Sequence, residues 1–269
     1  MKTKLLFVLA LFVVLSTTAQ IPSKEKSALI ALYKATNGNA WHVKWDLTAP
    51  AESWYGIKTE NNQVVEINLA HNNLQGGLPL EIGNFTNLQK LNLGFNTLTG
   101  ALPSTLKNLK NLMVLQLFMN HLEGAIPNEI AQLENLKILH LYCNKFSGKI
   151  PSTLTQLTNL EELLLGSNFL TGHIPEDIGQ LTNLKKLSLI DNQLEGDIPF
   201  GIAKLVHLEE LVLSTSGTTN NMSLVFSKLE KLNTFVVGPN NTLERVQEHA
   251  PLNMFPVNTS TAILDIEKE

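Results

Sequence analysis

Cys143 is the single cysteine of the 269-residue chain, and His140 stands three residues before it. A thiol beside an imidazole is the pair from which a nucleophile and its general base are made. This pair lacks the rest of a catalytic apparatus. No third group stands in phase to orient the imidazole, and the surrounding pattern puts both residues on a flat sheet face, with no pocket implied. One cysteine also excludes an internal disulfide and any multi-cysteine metal site. The seven histidines are scattered, and no metal-ligand spacing occurs. No catalytic residue and no cofactor are assigned.

A second chemistry in the same stretch is recognition. Val114, Phe118, Met119, Ile138, His140, Tyr142 and Cys143 fall at corresponding positions of two successive segments, with Phe95 and Leu164 at the margins. Charged residues flank them: Glu66 and Lys90 below, Glu162, Lys186 and Asp191 above. An apolar and aromatic patch rimmed by charge is the composition of a binding surface, because aromatics and Met are favoured interface anchors. These nine residues are the candidate ligand-binding set.

What must position them is a repeat. Leu88–Asn111 returns after twenty-four residues as Leu112–Asn135, then as Leu136–Asn159, Leu160–Asn183 and Leu184–His207. A fixed period of this length means stacked, similar coils. Each unit opens L-x-x-L-x-L-x-x-N. Strand alternation sends Leu91 and Leu93 inward, and Asn92 and Gly94 outward. The ninth position is Asn72, Asn96, Asn120, Asn144, Asn168 and Asn192. An inward amide is tolerated only when it is hydrogen-bonded, so these six are expected to form a structural ladder bonded to the turn backbone of neighbouring coils. In the second half, Gly76, Gly100, Gly124, Gly148, Gly172 and Gly196 precede Pro79, Pro103, Pro127, Pro151, Pro175 and Pro199 by three residues. The prolines bar a continuous helix on that side. A short helical turn, as over Ser104–Leu109, is expected to close the core with Leu102, Leu106 and Leu109.

The expected fold is therefore an α/β solenoid: a right-handed superhelix with a concave parallel β-sheet, 24-residue repeats and a helical N-terminal cap. About eight parallel strands at ~4.8 Å give a sheet roughly 35–40 Å long. A composition that is 43% hydrophobic supports a core of that size, and a net charge of -4 gives no basic surface for nucleic acid.

Along the chain, residues 1–19 read as a secretory signal peptide. Lys2 and Lys4 precede an apolar run, Leu5–Leu15, too short to span a bilayer, and Thr17-Thr18-Ala19 supplies small residues for cleavage before Gln20. No cysteine follows the run, so a bacterial lipid anchor is not expected, and no later segment is apolar enough to span a membrane. Residues 20–63 are an N-terminal cap, with helical spacing of Ala28, Leu29, Leu32 and Ala35 followed by Trp41, Trp45, Trp54 and Tyr55. These rings are expected to cover the first coil. Repeats occupy 64–240, and 241–269 form a C-terminal cap and tail, in which Ile263, Leu264 and Ile266 are candidates to dock on the last coil.

The run ALIALYKATNGNAW, then SWYGI, then VVEINLAHNNLQGGLP resembles the cap and first repeats of plant-type leucine-rich-repeat (LRR) proteins, and looks closest to secreted bacterial members. The repeats also resemble those of LRR receptor ectodomains and polygalacturonase-inhibiting proteins. The plant caps carry C-x-W-x-G-[VI]-x-C. Here the run is Glu52-Ser53-Trp54-Tyr55-Gly56-Ile57-Lys58-Thr59, so both cysteines are missing and the cap must hold by packing.

The resemblance implies a secreted or cell-envelope, non-catalytic binding module whose partner is an extracellular or envelope protein held on the concave face. A glycan-binding or hydrolase-inhibitor role is the alternative it suggests. Ice binding is a minor one, for which only the regular row Asn87, Asn111, Asn135, Asn159 and Asn183 speaks.

Overall fold

A computed structural model describes residues 20–214, 227–238 and 262–263. The expected signal peptide and most of the expected C-terminal cap and tail lie outside the described residues.

The described chain is a stack of coils. Their strands are Gln63–Asn68, Lys90–Asn92, Val114–Gln116, Ile138–His140, Glu162–Leu164, Lys186–Ser188, Glu210–Ser214 and Thr234–Gly238, paired in parallel and in that order. Register advances by one repeat at every step: Glu66 pairs with Lys90, Lys90 with Val114, Val114 with Ile138. Leucines of the motif fill the interior, among them Leu91, Leu93, Leu115, Leu117, Leu139 and Leu141, all fully buried. After each motif proline, held in extended conformation, comes a single 3-10 turn, as in Ser104–Asn108 and Ser152–Gln156. The proline stops longer helix, and the turn carries Leu106 and Leu154 back into the core.

Two features go beyond the sequence reading, and a third concerns Ile263, a candidate for docking on the last coil. The segments around the motif glycines form a second parallel sheet of six short strands, from Gln75–Gly76 to Gln193–Leu194. The concave sheet is extended at the bottom by Ile57–Glu60, antiparallel to the first repeat strand. Its tight turn rests on Asn61 and Asn62, both at positive φ, which asparagine tolerates better than most residues. At the top, Ala262–Ile263 pairs antiparallel with Thr234–Gly238.

The cap is a helix, Ser23–Ala35, followed by packed aromatics. Trp41 and Trp45 lie 4.9 Å apart, Trp45 and Trp54 4.8 Å, by ring centroids. Each indole N–H donates to a carbonyl at 2.9 Å: Trp41 to Thr36, Trp45 to Tyr55, Trp54 to Asp46. Burial therefore leaves none of these donors unsatisfied. Tyr55, expected among the covering rings, is instead 49% exposed. Its carbonyl, not its ring, serves the cluster. Backbone bonds from His42 to Asn72 and from Gln75 to Thr36 join the cap to the first coil.

Candidate functional site

The concave face is built by the turn that ends each strand. His71, Phe95, Met119, Cys143, Ser167 and Asp191, the eighth residue of successive repeats, all have φ between 51° and 56°. Side chains other than glycine and asparagine rarely adopt this left-handed region. The ladder asparagine that follows each of them holds the bend. Asn120 shows the pattern: its Nδ2 donates to the carbonyls of Leu93 and Leu117 at 3.0 Å and of Phe118 at 3.2 Å, and its Oδ1 accepts from the Leu98 N–H at 2.9 Å. Asn96, Asn144, Asn168 and Asn192 repeat it. At the foot of the ladder, Asn72 exchanges two hydrogen bonds with the backbone of Val43 in the cap. All six are buried.

The turn residues and those just before them bring the aromatics together. His71 stacks on Phe95 at 3.9 Å, Phe95 meets Phe118 edge-on at 5.1 Å, and Phe118 stacks on Tyr142 at 4.8 Å. Four coils thus carry one continuous run of rings. Phe95, Phe118, Tyr142, Val114, Met119, Ile138 and Cys143 are half-buried. Packing between rings withdraws the Tyr142 hydroxyl from water and pushes its pKa up to about 12.

A polar chain climbs beside the rings. Gln116 Nε2 lies 3.2 Å from His140 Nδ1, His140 Nε2 lies 2.8 Å from Glu162 Oε2, and Glu162 Oε1 lies 3.3 Å from Lys186 Nζ. With Gln116 donating to Nδ1, the neutral imidazole carries its hydrogen on Nε2 and donates it to Glu162. That hydrogen bond is the main cause holding the Glu162 carboxyl below the usual glutamate range. Lower down, Glu66 and Lys90 pair at 2.9 Å.

Two of the expected site residues behave differently from the sequence reading. Leu164 is not at an exposed margin but buried, 5% exposed. It pairs in register with His140 and Ser188 on strands close enough for neighbouring side chains to cover one another. Ile190 and Val212, at outward strand positions of higher coils, are buried as well. His140 is tethered on both nitrogens rather than free. Cys143 offers no activated nucleophile: burial pushes its thiol up, the reverse of what a reactive thiolate needs. His71 and Gln116 join the surface without having been singled out, and Glu162, read as part of the charged rim, is drawn in by its contact with His140. Their signal was available in the one-repeat spacing that places them beside Phe95, His140 and Lys186. Among the described residues no group of three or more His, Cys, Asp or Glu is placed to hold a metal, and no helix is long and apolar enough to cross a membrane.

Comparison with known proteins matches these elements to leucine-rich-repeat family models, one over residues 86–146 and another over 63–85, 159–181 and 183–205. Among solved structures, that of PEPR1-AtPEP1 is 31% identical with a TM-score of 0.74, over 81% of this chain and 32% of that one. The LRR ectodomain of the Arabidopsis receptor kinase HAESA, in complex with an N-terminally extended IDA peptide hormone ligand, is 28% identical with a TM-score of 0.69, over 78% and 36%. The chain thus spans about a third of the length of these two proteins. The LRR ectodomain of SOBIR1 from Arabidopsis thaliana is 28% identical with a TM-score of 0.58, over 66% of this chain and 97% of that one. A plant ice-binding protein, 21% identical with a TM-score of 0.55 over 82% and 79%, shares the fold.

Proposed function

Because this chain is a leucine-rich-repeat protein with repeats of the plant type, we propose that it is an extracellular, non-catalytic module that binds a protein or peptide on its concave face. The observation that carries the reading is the run His71–Phe95–Phe118–Tyr142, four rings in contact on an open sheet face. Stacked aromatics already ordered in the free protein lose little freedom on binding and offer a large apolar contact. The paired charges around them, Glu66 with Lys90 and Glu162 with Lys186, supply a polar rim that favours one orientation of the partner.

Two structures similar to this one support a peptide or protein ligand, since HAESA is described with the IDA peptide hormone and, in a second structure, also with the co-receptor SERK1. The proposed organisation is a cleaved leader at 1–19, a cap at 20–63, repeats at 64–240 and a C-terminal cap beyond. The binding residues proposed are Phe95, Val114, Phe118, Met119, Ile138, His140, Tyr142 and Cys143, with His71 added to the run of rings. Leu164 is withdrawn, because it is buried.

The test is a crosslinking capture from the source organism's envelope and surrounding medium, with residues 20–269 as bait beside the Phe118→Glu/Tyr142→Glu variant. A partner held by the wild type and lost by the folded variant supports the concave face. Equal capture by both removes the site from that face.

A further inference from the structure

A groove of about 600 Å³ runs along the edge of the solenoid where each coil enters its strand, away from the ring run. Its floor is the second residue of four repeats, Val65, Gln89, Met113 and Lys137. Its wall is the last residue of each preceding unit, Asn87, Asn111, Asn135 and Asn159. The hairpin residues Glu60, Asn61 and Gln63 also line it.

The wall asparagines are oriented by the backbone. Asn111 Nδ2 donates to the Thr86 carbonyl at 3.0 Å, Asn135 to Lys110 at 2.8 Å, and Asn159 to Glu134 at 2.9 Å. Anchoring the amide nitrogen leaves each Oδ1 as an acceptor, and no described residue donates to these three oxygens. They form a neutral acceptor row with the coil period, ~4.8 Å.

Three arguments narrow the ligand. The floor backbone is already engaged: the Gln89, Met113 and Lys137 N–H groups donate to Val65, Gln89 and Met113 at 2.8 Å, so the groove cannot recruit a peptide as an added strand. An extended peptide repeats its same-face groups only about every 6.6–6.8 Å, and drifts out of step with the coils. Charge is balanced, with Lys137 paired to Glu161 at 3.4 Å and Glu60 to Lys58 at 2.9 Å, so nothing here recruits a polyanion. An extended chain of pyranose rings meets all three conditions. Its hydroxyls are donors and stand on both edges of every ring, so each ring offers one to the wall even though successive rings are flipped, its step per ring is close to one coil, and its apolar ring faces suit the Met113 side chain.

We propose that this edge groove binds a neutral, extended polysaccharide, one ring per coil. Hydroxyls donate to Oδ1 of Asn111, Asn135 and Asn159, the Gln89 amide makes a further polar contact, and Met113 lies under a ring face. This site is independent of the concave-face reading.

The test is calorimetric titration of residues 20–269 with cellohexaose, maltohexaose and hexagalacturonate. The expected result is binding of the extended neutral cellohexaose, weaker binding of the curved maltohexaose, and none of the acidic chain. Asn111→Leu/Asn135→Leu should weaken cellohexaose by at least about tenfold, as lost hydrogen bonds would. Met113→Lys, which leaves the asparagine anchors intact, should weaken it as well. Phe118→Glu/Tyr142→Glu should bind like the wild type. Absence of oligosaccharide binding by the wild type overturns the proposal. So do wild-type affinity in both groove variants, loss through the concave-face variant, or preference for hexagalacturonate.

Discussion

The tip of the Phe118 ring sits over Gly94. A methyl group at Gly94 would come within 2.7 Å of the Phe118 ring, so the ring occupies the space that any other residue would fill. The same relation recurs three coils higher, where a methyl at Gly166 would sit 3.1 Å from Ile190 Cγ2. In both cases the seventh residue of one coil is roofed by the seventh residue of the next. The glycines are a seat for the large side chain above them, and at Gly94 that seat holds the ring run together.

Gly94→Val should therefore displace Phe118 without unfolding the solenoid. The side chain at 94 points out of the sheet, and Phe118 is half-buried rather than part of the interior. Far-ultraviolet circular dichroism should be unchanged, while partner capture through the concave face should fall as it does for Phe118→Glu/Tyr142→Glu. Unfolding of Gly94→Val would show that Phe118 is part of the core.

Asn120→Ala should destabilise the chain by about 1–3 kcal/mol, because the Leu98 N–H and several turn carbonyls lose their partner in a buried setting. Urea denaturation measures it directly. An unchanged midpoint would mean that the turns hold without the ladder.

Acid should weaken the concave face through Glu162. Its folded-state pKa is lowered, chiefly by the hydrogen bond from His140 and also by Lys186. The stabilisation is complete above the unfolded-state value, near about 4.3, and is lost as pH falls through the lower folded value. Glu162→Gln should flatten this part of the stability profile. A profile of the same slope in the variant would assign the acid loss to other carboxylates.

Glu25 works in the opposite sense. It is 4% exposed in the cap and accepts the Val64 N–H at 2.8 Å, and burial raises its pKa. Its contribution is greatest below the unfolded-state value and is lost as pH rises through the raised folded value. Glu25→Gln keeps an acceptor for Val64 and removes the buried charge, so it should raise the melting temperature at neutral pH. A lower melting temperature would mean that the ionised carboxylate is worth more to the cap than its desolvation costs.

The repeat was legible in the sequence because a period is a local property repeated. Leu91 and Leu93 point inward by strand alternation alone, Pro103 forbids helix by its own ring, and the recurrence of both in every unit removes ambiguity. The short turn after the proline and the helix of the cap follow from the same local rules. The second sheet around Leu98 and Leu122 was not legible, because two- to five-residue strands carry too little alternation to stand out. Nor was the left-handed turn at Phe95, Met119 and Cys143, since these residue types give no signal for positive φ; the buried asparagine beside each imposes it.

The candidate surface divides the same way. Sequence alone determined which residues share a column, because one repeat of offset places Val114 beside Ile138 and Phe118 beside Tyr142. Tertiary structure decided which of them stay open. Leu164 and Phe118 both read as outward apolar residues, yet strands this close let neighbours in adjacent coils bury the first, while the second sits over a glycine, stacks on Tyr142 and stays half-exposed. Whether a side chain faces water depends on the size of its neighbours twenty-four residues away in either direction. That is a property of the packed stack, which no single repeat contains.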